Sequence, residues 1–77
     1  MKSAATALGD WSRLRDALAC GRSAAGLSLA DIGSKVGVCR QTVYTWECGD
    51  REPTARNLFA WCAALGVRLV DVEEDRV

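Results

Sequence analysis

The chain has no histidine among its 77 residues, which removes the commonest metal ligand and the usual acid–base group of neutral pH. No Gly-rich loop that would cradle a phosphate occurs, and no nucleophile has a base beside it in a catalytic motif. An enzyme is not expected. No apolar run approaches the roughly 18–20 residues that span a bilayer, so no membrane partner is expected either. The opening MKSAATALGD has one Lys and no apolar stretch behind it, unlike a secretory signal, and a cytoplasmic location is expected. Cys20, Cys39, Cys48 and Cys62 form no C-x-x-C pair, whereas zinc sites use closely spaced ligand pairs. No metal and no cofactor is expected, and reduced cysteines acting as small hydrophobes are the expected state.

An excess of charge is missing too: ten Lys and Arg balance ten Asp and Glu. The distribution is uneven. Residues 1–70 hold nine basic and six acidic groups, a balance of +3. Residues 71–77 set Asp71, Glu73, Glu74 and Asp75 against Arg76, a balance of −3. A mildly basic domain with an acidic tail is weak support for a nucleic-acid partner when taken alone. The length suffices for one domain with one modest core, which oligomerisation would help to stabilise.

Helical periodicity is plentiful. Residues 1–9 are small and polar and are expected to fray. From Asp10, a candidate N-cap, Trp11, Leu14 and Leu18 recur at helical steps, predicting a first helix to Ala24 or Ala25 with Gly26 as its stop. Ser28 is placed to cap a second helix, Leu29 to Val36, with Asp31 in a capping-box position and Gly37 at its end. Cys39 stands at the cap of a third helix, Arg40 to Cys48, with Val43 and Trp46 as its buried edge. After the polar loop Asp50-Arg51-Glu52-Pro53, Thr54 caps a fourth helix through Leu65, with Leu58, Trp61, Cys62 and Leu65 on one stripe. The segment Val67–Val72 is rich in β-branched residues and reads as a strand with no partner elsewhere in the chain. Three parts result: 1–9, a flexible N-terminus; 10–66, the domain; 67–77, a strand and acidic tail.

Four or five short helices with Gly37 between the second and third resemble the Cro/phage-repressor (XRE-type) helix-turn-helix family. Begun at Leu29, that family's motif needs a small residue at its fifth place and a glycine at its ninth, here Gly33 and Gly37. Its apolar places, the fourth, eighth, tenth, fifteenth and eighteenth, hold Ile32, Val36, Val38, Val43 and Trp46. Gly26-Leu27-Ser28-Leu29-Ala30-Asp31 resembles the family's entry to the second helix, and Thr42-Val43-Tyr44-Thr45-Trp46-Glu47 its third. The resemblance covers roughly residues 12–66. There are two departures: Leu29 stands where some relatives carry a phosphate-contacting Gln, and Cys39 replaces the more usual Ser or Thr cap, a poorer acceptor.

The resemblance implies an all-α, compact lambda-repressor-like domain that binds double-stranded DNA. Its third helix would enter the major groove with Arg40, Gln41, Tyr44 and Thr45 toward the bases. Phosphates would meet Ser28 and the start of the second helix, Thr42, Arg51, Thr54 and Arg56; Arg51 and Arg56 fit equally as plain surface charges. The family's pairing of a late first-helix Arg with the Glu after the third-helix Trp falls here on Arg22 and Glu47. Trp46 and Trp61, on apolar stripes, read as core rather than base-stacking groups. Val67, Leu69, Val70 and Val72 either pair with the same segment of a second chain, making a homodimer, or pack on their own first or fourth helix. A dimeric repressor is the expected function. The alternative is an antitoxin that binds a toxin protein and represses its own operon, with the acidic tail meeting a basic toxin surface. Cys39 and Cys48 flank the reading helix, where little beyond Arg40 and Arg51 would lower a thiol pKa.

Overall fold

Alanine carries the first helix back past Asp10. The computed structural model describes residues 4–68, and in it α1 runs from Ala4 to Ala24. The segment read as frayed is rich in Ala4, Ala5 and Ala7, the best helix formers. Asp10 is therefore not the N-cap expected of it: it lies inside α1 and pairs with Arg13 one turn on. The other elements are α2 (Leu29–Val36), α3 (Arg40–Cys48) and α4 (Ala55–Ala64). No strand occurs among the described residues. The strand expected at Val67–Val72 lies, apart from Val67 and Arg68, outside them.

Both middle helices begin on caps with different chemistry. Ser28 Oγ accepts from the Asp31 N–H at 3.0 Å while the Asp31 carboxylate accepts from the Ser28 N–H at 2.8 Å, a reciprocal capping box. Cys39 is the N-cap of α3 and makes no side-chain cap hydrogen bond. At α4 the Thr54 hydroxyl accepts from the Asn57 N–H at 3.2 Å. The chain leaves α4 through Gly66, with the Val67 N–H on the Cys62 carbonyl at 2.9 Å.

Each helix contributes to a single core. Leu18 from α1, Ile32 from α2, Val43 and Trp46 from α3, and Trp61 and Cys62 from α4 are buried. Trp11, Leu14, Leu58 and Leu65 pack around them. The Trp46 and Trp61 rings meet at 5.4 Å with their planes tilted by 41°, within the centroid range of favourable aromatic pairs and away from a face-to-face sandwich. Trp61 is fully enclosed and its indole N–H has no partner. Leaving that donor unpaired costs about 1–3 kcal/mol, less than the roughly 4–6 kcal/mol its buried ring contributes. The small-hydrophobe reading of the cysteines holds for Cys62 alone, because Cys20, Cys39 and Cys48 are exposed. Burial pushes the Cys62 thiol above its ordinary pKa.

Helix α3 is tied to α1 by a forked ion pair. Arg22 Nε donates to Glu47 Oε2 at 2.7 Å and Nη2 to Oε1 at 3.1 Å. Its remaining nitrogen donates to the Leu27 carbonyl at 2.8 Å, just before α2. The guanidinium thus ties α1 to both α3 and the α1–α2 turn, and its hydrogen bond to Glu47 raises its pKa further. The two side chains are only 20% and 11% exposed, so removing one partner strands a poorly hydrated charge. Glu47→Ala should lower stability by about 1–3 kcal/mol, with Glu47→Gln milder, measured by urea unfolding followed by tryptophan fluorescence. An unfolding midpoint unchanged in Glu47→Ala would show that the pair does not hold α3 in place.

Candidate nucleic-acid interface

The geometry of α2 and α3 rests on two glycines with separate reasons. A Cβ built on Gly33 would lie 2.5 Å from the Val38 carbonyl oxygen, closer than any real side chain tolerates. The two helices therefore meet backbone to backbone at this point. At Gly37 the backbone is left-handed, φ 93° and ψ 31°, a conformation that costs other residues roughly 1–2 kcal/mol. The N–H groups of Gly37 and Val38 both reach the Gly33 carbonyl, at 2.7 and 2.9 Å. The turn is closed by those bonds, and Val38 packs against the core.

With Val43 and Trp46 turned inward, the outer face of α3 follows. Arg40, Gln41 and Tyr44 are exposed. Cys48, four residues beyond Tyr44, shares their face. The sequence places it, together with Cys39, as flanking the helix and not on this face, although its step from Gln41 and Tyr44 is signal enough. Interaction with Cys48 raises the Tyr44 phenol pKa, so the group remains a hydroxyl able to donate. Thr45 is half-buried and its hydroxyl donates to the Thr42 carbonyl at 2.7 Å, which leaves only its acceptor side for a ligand.

Two depressions flank this face. One, of about 230 Å³, is lined by Leu29, Arg40, Gln41 and Tyr44, with mostly apolar walls. The other, of about 350 Å³, lies between α3 and the α3–α4 loop and joins Thr42 and Arg51 with Cys39, Gln41, Thr45 and Asn57. Asn57 was missed in the sequence, where only its place three residues after the Thr54 cap marks it. Glu52 lines the same groove and would oppose an anion there. Thr54 and Arg56 are exposed at the start of α4 and line neither depression.

The two helix starts differ electrically. Asp31 places a carboxylate at the N-terminus of α2, and hydrogen bonds from the Ser28 backbone and hydroxyl hold it below the usual carboxylate range. Cys39 is exposed at the start of α3, its sulfur 3.2 Å from Thr42 Oγ1. The Thr42 hydroxyl, then the N–H groups of Thr42 and Gln41, hold that thiol below its ordinary pKa. The source is thus chiefly the Thr42 hydroxyl, not Arg40 or Arg51. Among the described residues no group of Cys, Asp and Glu is arranged to hold a metal ion, and no helix is long and apolar enough to cross a membrane.

A helix-turn-helix family model matches residues 21–72, most of the chain and all of this α2–turn–α3 unit. The chain belongs to that family, in its Cro/phage-repressor (XRE) type. It is a DNA-binding transcription regulator. No curated protein and no solved structure matches the chain. In this helix-turn-helix protein the Asp31 cap makes α2 sensitive to acid. A carboxylate whose pKa is lower folded than unfolded contributes stability above its unfolded value and loses it as pH falls through the folded one. Asp31→Asn should be less stable than the parent at neutral pH, with the gap closing as pH drops below the carboxylate range. Parallel acid-unfolding profiles for the two chains would show that the capping box contributes nothing.

Proposed function

We propose that this helix-turn-helix protein is a sequence-specific repressor that acts as a homodimer and reads the major groove with α3. The observation that carries the reading is the outward face of α3, where Arg40, Gln41 and Tyr44 stand exposed on a helix fixed from behind at Gly33 and Glu47. A groove about 12 Å wide admits one helix. Arg40 has the fork for guanine O6 and N7, and Gln41 the amide for adenine N6 and N7, each worth roughly 1–3 kcal/mol of discrimination. Tyr44 and Thr45 make shorter contacts beside them. Ser28 and the first N–H groups of α2, with Thr42, Arg51, Thr54 and Arg56, hold the flanking phosphates. The Ser28 oxygen accepts from the Asp31 N–H and its hydroxyl meets the Asp31 carboxylate, so a phosphate contact from Ser28 has to take that proton from Asp31.

Within this reading residues 10–66 bind DNA and residues 67–77 pair the subunits. One module touches few base pairs, and two on half-sites about 34 Å apart supply the missing specificity. Val67, Leu69, Val70 and Val72 pair with the same segment of a second chain. Phe59 on α4 and Val67 just after it are exposed large apolar residues, which supports an interface formed by this part of the chain. A second reading, an antitoxin, is supported by the acidic excess in residues 71–77, and a toxin-like reading frame beside the gene would favour it.

Selection from random duplex DNA at near-physiological salt tests the proposal. A near-palindrome should be enriched by the parent chain, and Arg40→Ala should lose preference at one base pair per half-site while keeping its fold. Unchanged sequence preference in Arg40→Ala would remove that residue from the groove, and a non-repeated target site would argue against the dimer.

A further inference from the structure

Most of the surface that α3 presents is built to hydrogen-bond, but the depression between Leu29, Arg40, Gln41 and Tyr44 is not. Leu29 opens α2, packs partly on the core and turns the rest of its surface into this dimple. Tyr44 is nearly half exposed on the facing helix. Along the major-groove edges of the four base pairs, one group is apolar: the 5-methyl of thymine. An apolar hollow framed by an Arg and a Gln has no other partner among unmodified bases. If it stayed empty in a complex, wet apolar surface would sit between two hydrogen-bonding contacts.

We infer that the dimple formed by Leu29 and Tyr44 is a seat for a thymine 5-methyl group, next to the base pairs met by Arg40 and Gln41. The inference rests on the major-groove reading proposed above and adds to it one specificity-determining residue, Leu29, while giving Tyr44 a base contact without a hydrogen bond. Size agrees. A methyl group is close in volume to a water molecule, about 30 Å³, so a hollow of about 230 Å³ takes it together with the edge of the ring that carries it. Leu29 gains a purpose in the process. With Leu29 an apolar side chain faces this dimple, and the target is predicted to carry a thymine at one defined place in each half-site.

Deoxyuridine lacks the 5-methyl and keeps every hydrogen-bonding group of thymine, so it isolates the contact. In the selected duplex each thymine is replaced in turn, and binding is measured with the full chain, with Leu29→Ala and with Tyr44→Ala, each checked for folding by thermal unfolding. One thymine per half-site should be methyl-sensitive, with the parent losing on the order of fourfold in affinity, the ratio that burying one methyl supplies. At that position Leu29→Ala and Tyr44→Ala should bind the thymine and uracil duplexes alike. Sequence-specific binding with no methyl-sensitive position would overturn the seat and leave the groove reading intact. Methyl sensitivity that persists in both variants would place the contact elsewhere and overturn it too. Absence of any preferred sequence would overturn the groove reading and this inference together.

Discussion

The carbonyl oxygen of Val38 lies where a side chain on residue 33 would begin. Everything the chain presents to DNA depends on that close approach. Because α2 and α3 touch through backbone, their angle is set by covalent geometry and by the Gly37 turn, not by adaptable side chains. A bulkier residue at Gly33 would pry the helices apart and tilt α3 off its support. On the opposite side, Arg22 grips Glu47 and the Leu27 carbonyl together, so α1 locks α3 in rotation. Val43, Trp46 and Trp61 fill the space between these restraints. The outer face of α3 is rigid for reasons that lie behind it.

That arrangement was legible in the sequence where the constraint was local. Gly33, Gly37 and the apolar places around them sit at fixed steps, and the bounds of α2 and α3 follow from Ser28, Gly37, Cys39 and Gly49. The core positions of α4 follow from one stripe. Asp10 misled because an acidic residue before an apolar stripe looks like a cap, while the propensity of the alanines ahead of it carried the helix further back. The cysteines misled because apolar character alone does not say which face of a helix a residue occupies. The depressions beside α3 were not legible at all. They depend on how Leu29 of one helix and Tyr44 of another come together, and on how Asn57 and Arg51 converge from a loop and a helix start.

Electrostatics divides the surface in a way that net charge conceals. Cationic groups at Arg40, Arg51 and Arg56 lie on or beside the α2–α3 unit, while Asp31 and Glu52 sit where they oppose a phosphate. Affinity for the DNA backbone is therefore expected to be moderate, and base contacts carry a larger share of the recognition. The thiol of Cys39, kept below its usual pKa by Thr42, stands at the start of α3.

Whether α3 occupies the major groove, as proposed, is decided by methylation interference on the target duplex. Dimethyl sulfate modifies guanine N7 in the major groove and adenine N3 in the minor groove, so one experiment samples both sides. With α3 in the major groove, bound molecules should be depleted of methyl groups at guanine N7 within each half-site and indifferent to adenine N3 there. Interference confined to adenine N3 would place the protein in the minor groove and contradict the proposal.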